Sequence, residues 1–295
     1  MKLKKLLGLA SVALASTVLL AACGGSSKSA SDDSKLKVGI MTLDDATEPL
    51  WDKVKELAKD KGVEIELVEF TDYNQPNEAL QNGEVDVNAF QHKYFLNNWN
   101  SENKGTLVEV ADTLLSPIHL FSGTENGKAK YKYTDIKDIP NKATISVPND
   151  ASNESRALYL LQSAGLIKLD VNGDELATIK NISSNPKDLD IKEVDAAQTA
   201  STLSSVDAAI VNNSYAQAAK VDYKTTLYKE AVDKNSDKWV NVIAAQKDWK
   251  KSDKAKAIKT LISVYQTDEV GKVIQDASNN VDIPAWKGAK VSSKD

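Results

Sequence analysis

Val147–Arg156 reads V-P-N-D-A-S-N-E-S-R and gathers residue types suited to gripping a small polar ligand. Arg156 is the only arginine; lysines and arginines number 37 together, so the other 36 positive side chains are lysines. A guanidinium presents five donors in a planar fork that can meet a carboxylate at two points, which a lysine ammonium cannot do. The strand-like A-T-I-S-V (Ala143–Val147) runs through Pro148 into small polar residues. An apolar-periodic helix follows, with Ala157, Leu158, Leu161 and Ala164 on one face and Gly165 as its stop. Asn149, Asp150 and Ser152 all qualify as its N-cap. A strand running into a helix start leaves free N–H groups and a positive dipole end, so Arg156, placed there, is expected to help receive an anion. A lone arginine in a lysine-rich chain can equally be a surface residue. Its position behind a capping cluster favours binding.

The other chemistry-bearing residues exclude more than they assign. The chain has no G-x-S-x-G and no H-E-x-x-H, and its single cysteine, Cys23, precedes the folded part. Two histidines, His92 and His119, cannot complete a zinc site without several carboxylates. Abundant Asp and Glu leave a carboxylate-pair hydrolase open, but nothing singles out a pair. We therefore expect no enzymatic activity, no cofactor and no metal. A formal net charge of −5 without a basic patch argues against nucleic acid.

The elements that must position these residues begin after a leader. Lys2, Lys4 and Lys5 precede an apolar run, Leu6 to Leu20, which L-A-A-C (Leu20–Cys23) closes. Residues 1–22 thus form a signal segment too short for a comfortable membrane span. Residues 23–35 are a polar, low-complexity tether, spanning roughly 20 Å as a flexible coil. Beyond it, strand and helix patterns alternate. L-K-V-G-I-M from Leu36 is a strand, and Leu50, Trp51, Val54, Leu57 and Ala58 mark a helix stopped by Gly62. Val63–Phe70 and Glu84–Phe90 are further strands. In the middle of the chain, Ala143–Val147, Ala177–Ser183 and Val206–Val211 read as strands, with helices at Ser155–Ala164 and Gln198–Ser204. Such alternation implies an α/β fold of mainly parallel sheets. Leu107–Phe121 is expected to cross from a first lobe (36–118 and 236–295) to a second (119–235), and Lys238–Gln246 to return. Helices marked by Ile258, Leu261, Ile262 and Tyr265, then by Val270, Val273 and Ile274, should pack on the first lobe. Two crossings make a hinge over a cleft, and ligands gather at strand carboxyl ends, here Phe90, Val147 and Val211.

Several stretches resemble one family over nearly the whole chain beyond the leader. F-T-D-Y-N-Q-P-N-E-A-L (Phe70–Leu80), D-V-N-A-F-Q-H-K (Asp86–Lys93), S-V-P-N-D-A-S-N-E-S-R (Ser146–Arg156), A-I-V-N-N-S-Y-A (Ala209–Ala216) and Y-Q-T-D-E-V (Tyr265–Val270) look like the methionine-binding lipoproteins of ABC importers. L-A-A-C resembles their lipobox, which implies cleavage before Cys23, lipidation of its thiol, and anchorage on the extracytoplasmic face of the cell membrane. The resemblance implies a two-lobed periplasmic-binding-protein fold that closes on methionine, L-methionine above all, and delivers it to a permease and ATPase. By motif position, Tyr73, Phe90 and His92 would surround the thioether. Asn153, Arg156 and Asn212 would hold polar ends from the second lobe, and Asn241 would lie near the crossing strand. The chain departs from the pattern at Tyr94, Phe95, Ser116 and Ser155, changes that would touch the side-chain pocket. Taken singly, Tyr73 and Phe90 read as core aromatics, His92 and His119 as structural histidines, and the asparagines as caps or turn formers. His119, which no motif supports, is assigned a structural role. A methionine-containing dipeptide, another apolar amino acid, or an adhesin or signalling role on the same fold are the alternatives.

Overall fold

The computed structural model describes residues 32–125, 131–173 and 175–291. The signal segment, Cys23 and most of the tether lie outside them. The tether expected to reach Lys35 ends sooner. Asp32–Ser34 form a 3-10 turn, and Lys35 already pairs with Glu64.

Two sheets organise the chain. The first contains β1 (Lys35–Met41), β2 (Glu64–Phe70), β3 (Val87–His92), β4 (Val108–Leu115), β12 (Val240–Ala245) and β13 (Ile283–Pro284), in the order β13-β4-β12-β3-β1-β2. The second contains β5 (His119–Ser122), β6 (Thr144–Pro148), β9 (Asp190–Val194), β10 (Ala208–Val211) and β11 (Thr226–Lys229), in the order β11-β5-β10-β6-β9. A small hairpin, β7 (Lys168–Leu169) with β8 (Ile182–Ser184), stands apart. The chain leaves the first sheet at Leu115, enters the second at His119, and returns between Lys229 and Val240.

Neither sheet is mainly parallel. β1 pairs β2 and β3 in parallel, and β6 pairs β9 and β10 likewise. β12 runs antiparallel to β3 and β4, and β5 antiparallel to β10 and β11. The reason is topological: β5 and β12 enter their sheets from the cleft, so they run opposite to the strands whose carboxyl ends face it. The strand expected over Ala177–Ser183 is instead a 3-10 turn followed by β8. The strand that pairs with β6 on its other side from β10 is β9, in a segment whose charged, part-exposed residues hide its period.

The helices follow their apolar stripes. In α1 (Thr47–Asp60), Leu50, Trp51, Val54 and Ala58 are buried, Leu50 and Val54 each contributing roughly 1.5–3 kcal/mol by leaving water. They share a core with Ile258, Leu261 and Tyr265 of α7 (Ala255–Tyr265) and Val270 and Ile274 of α8 (Asp268–Ala277). In the second lobe, Ala157, Leu158 and Leu161 of α4 (Ala151–Ser163) pack on Ile145, Val147 and Ile210. Gly165 follows α4 with φ +75, the left-handed stop its position suggested. The short helices are α2 (Gln75–Gln81), α5 (Thr199–Thr202) and α6 (Asn213–Ala218). α3 (Lys93–Asn103) was not foreseen; only Phe95 and Leu96 are buried along it, too few to set a period. Among the described residues no helix is long and apolar enough to cross a membrane.

Candidate functional site

The two lobes face one another across a cleft of about 930 Å³, its open mouth included. All seven residues singled out from the sequence, Tyr73, Phe90, His92, Asn153, Arg156, Asn212 and Asn241, line it. Strand ends bring several of them there, although β3 runs two residues past Phe90, so that His92 and not Phe90 closes the strand.

His92 does two things at once. It is the N-cap of α3, its Nδ1 accepting the Phe95 N–H at 3.0 Å. Nδ1 therefore carries no proton, and the neutral ring bears its hydrogen on Nε2, which points at Asn153 Oδ1 across the lobes at 3.2 Å. Burial, and then the Arg156 charge, push the His92 pKa down to about 3. His92 is thus a fixed neutral donor. His119, which is not part of the cleft lining, stacks on Phe121 with its Nδ1 3.0 Å from Thr226 Oγ1.

Asp150 resolves the choice of cap on α4: its carboxylate accepts the Asn153 N–H at 3.0 Å. The helix begins at Ala151, four residues before the expected Ser155, which places Arg156 in its second turn and not at its start. The helix N-terminus is consequently no open anion site, because the protein's own carboxylate occupies the positive end of the dipole. Both Asp150 oxygens also take the Asn153 Nδ2 at 3.0 Å, which fixes the amide with Oδ1 toward the cleft. That oxygen accepts from Asn212 Nδ2 at 2.8 Å as well as from His92. One buried asparagine thereby joins the capping carboxylate, the end of β10 and the opposite lobe.

Arg156, only 3 % exposed, spends its fork inside the protein. Nε and Nη2 meet Glu230 Oε1 and Oε2 at 2.8 and 2.5 Å, and Nη2 also donates to the Ser116 carbonyl at 3.0 Å. Its Cζ stands 4.8 Å from the centroid of the Trp239 ring. The expected two-point grip on a ligand carboxylate is therefore corrected. Glu230 takes the fork edge, and among the described residues Nη1 alone keeps its two N–H groups uncommitted. Ser116 belongs to the outward crossing and Glu230 and Trp239 to the return, so the guanidinium also ties both hinge segments to α4.

Opposite this polar wall, Tyr73, Phe90 and Phe95 stand with ring centroids 5.8–5.9 Å apart, and Tyr73 lies 4.7 Å from Tyr215 of the other lobe. The Tyr73 hydroxyl meets Ser214 Oγ across the cleft. Asn241 faces His92 in the β12–β3 ladder and donates Nδ2 to the Leu114 carbonyl at 3.2 Å. Of the four departures from the family pattern, Phe95 and Ser116 line the cleft. Ser155 and Tyr94 do not: Ser155 Oγ accepts the Ala177 N–H behind α4, and Tyr94 packs on Trp239.

Sequence reasoning missed Asn213, Gln217 and Asp282, which also line the cleft. Asn213 directly follows a foreseen residue and could have been found as part of N-N-S; Asp282 carries no local signal. Two buried polar atoms on the cleft residues, Asn212 Oδ1 and Asn213 Nδ2, have no hydrogen-bond partner among the described residues. An acceptor and a donor left this way suit a polar ligand end. Among the described residues no group of three or more His, Cys, Asp or Glu could hold a metal ion.

Comparison with known proteins bears on this cleft. The family described as NlpA lipoprotein matches residues 36–286. A relative from Vibrio cholerae, named "Probable D-methionine-binding lipoprotein MetQ", is 35 % identical over 287 residues, covering 96 % of this chain and 98 % of that one. The substrate-binding protein of a methionine transporter from Streptococcus pneumoniae superposes with a TM-score of 0.82 at 56 % identity, covering 86 % of this chain and 96 % of that one. A nutrient-binding protein from Burkholderia cenocepacia, solved bound to methionine, gives 0.76 at 35 % identity over 85 % of this chain and 100 % of that one.

Proposed function

The chain belongs to the NlpA lipoprotein family, and on that footing we propose that it captures methionine, L-methionine above all, in its interlobe cleft and delivers it to an ABC permease and ATPase. One observation carries the reading: the cleft sets an aromatic wall of Tyr73, Phe90 and Phe95 against a polar wall of Asn153, Arg156 and Asn212. An amphiphilic zwitterion with a thioether tail fits both. Sulfur at a ring edge contributes about 0.3–1.5 kcal/mol, enough to favour a thioether over an alkyl chain but not to bind it alone. Arg156 Nη1 and the unpaired Asn212 Oδ1 and Asn213 Nδ2 supply the polar contacts. His92, held neutral with its one N–H on Asn153, lines the site without adding a second positive charge.

Direct bonds between the lobes, His92 to Asn153 and Tyr73 to Ser214, belong to a closed arrangement, which a ligand bound between the lobes would stabilise. Thermal unfolding with either methionine enantiomer checks this. At about 100 times its dissociation constant, the bound form should gain roughly 2.7 kcal/mol. No shift with either enantiomer, nor with any other amino acid or short peptide, would end this reading.

The same reading places the protein on the extracytoplasmic face of the membrane, held by lipid on Cys23. Acyl chains in the plural are needed, since a single chain gives only marginal attachment. Cys23→Ser is expected to leave the membrane fraction or to remain uncleaved; a variant that still carries lipid label refutes the anchor.

A further inference from the structure

Asp282, between α8 and β13, is a carboxylate in an unusual position. It is 6 % exposed and lines the cleft, yet no lysine or arginine among the described residues pairs with it. Its partners are neutral: Ser116 Oγ donates to Oδ1, and Gln217 Nε2 reaches Oδ2 from the other lobe at 3.1 Å. Burying a carboxylate without a counter-charge is costly, and hydrogen bonds offset only part of that cost. The nearest guanidinium, Arg156, is already neutralised by two bonds to Glu230.

The placement of these groups supplies the rest. Ser116 stands between the two charges, its carbonyl taking Arg156 Nη2 at 3.0 Å and its hydroxyl serving Asp282. A cation with free N–H groups on the second lobe and, on the first, a carboxyl without a counter-charge, its pKa raised by burial, thus both bond to Ser116 at the crossing between the lobes. That is the order of charges a zwitterionic head group would complement. Asn213, buried in the same cleft, acts on the Asp282 carboxyl and lowers its pKa, yet its Nδ2 makes no hydrogen bond of normal geometry among the described residues. We propose that Asp282 is the counter-ion for the ammonium group of the ligand, selecting ligands that carry a free amine.

This rests on the cleft being an amino-acid site, and the experiment separates the two claims. The probes are the methionine enantiomer that binds, its 2-hydroxy analogue with a hydroxyl in place of the ammonium, and alanyl-methionine, measured by calorimetry on the whole folded domain and on Asp282→Asn. The wild type should prefer methionine to the hydroxy analogue by about 30-fold or more, the scale expected of a buried charge pair. In Asp282→Asn, methionine should weaken by about that factor, the hydroxy analogue should not weaken, and the two should fall within about fivefold of each other. If alanyl-methionine loses affinity in the variant and methionine keeps its own, the ammonium is the N-terminus of a dipeptide and the counter-ion role stands. Equal losses for methionine and the hydroxy analogue in a folded variant would make Asp282 a closure bond to Gln217 and overturn the proposal. So would an undiminished preference for methionine without any loss for alanyl-methionine, or no loss for any amine ligand. A wild type that binds none of these probes refutes the amino-acid site itself.

Discussion

Replacing Arg156 with alanine is expected to weaken ligand capture by about 2–4 kcal/mol, roughly 30- to 1,000-fold. The ligand loses the Nη1 donors, and among the described residues lining the cleft there is no other lysine or arginine to meet a carboxylate. Alanine also strips Glu230 of both its guanidinium bonds in a nearly dry site, where removing one member of an ion pair costs about 3–5 kcal/mol of stability. The two effects separate with a second substitution. Adding Glu230→Gln to Arg156→Ala removes the stranded charge, so stability should largely return while affinity stays low. Arg156→Lys should fall between wild type and alanine, because an ammonium keeps the charge but cannot span both Glu230 oxygens and the Ser116 carbonyl. If calorimetry finds the double variant within about twofold of wild type, Arg156 is a hinge strut and leaves the ligand site.

Asn153→Ala should produce a loss of comparable size by another route. The side chain is 2 % exposed and serves four partners: both Asp150 oxygens, Asn212 Nδ2 and His92 Nε2. Each buried polar group left unpaired costs about 1–3 kcal/mol, so losing several together should destabilise the closed form by at least about 3 kcal/mol. The Asp150 carboxylate, whose pKa burial raises and the Asn153 and Ser152 bonds lower, should titrate higher still in the variant. Because the His92 bond crosses the lobes, methionine affinity should fall by tenfold or more alongside the melting temperature, that factor being about 1.4 kcal/mol. A variant that melts early but binds as wild type would reduce Asn153 to a support for the helix cap.

These two residues also mark how far the sequence could be read. Both were placed at the ligand from the stretch around them, and both line the cleft. The partner that decides the chemistry of Arg156, Glu230, lies 74 positions away in a segment with no periodic signal. The expected fork on the ligand was wrong for that reason: the fork was real, but its carboxylate came from the protein. The helix start was misread in the same stretch. Asp150, Ser152, Asn153 and Glu154 look like loop residues until their hydrogen bonds are known, because a cap and a loop draw on the same side chains.

What the sequence determined by itself was everything carried by local period and composition. The apolar faces of α1, α4, α7 and α8 fixed which sides are buried, and Gly165 fixed where α4 stops. The motifs named the residues that gather in the cleft. The tertiary structure alone decided strand direction, the location of β9, and the pairings across the cleft. Periodicity reports that a side chain is buried but not which distant side chain lies opposite. Direction in each sheet depends on which end of a strand meets the cleft, a property of the whole path of the chain. Asp282 is the clearest case. Nothing near it in the sequence marks it, and only the folding of the C-terminal segment back onto β4 sets it beside Ser116 and Gln217, facing the cleft.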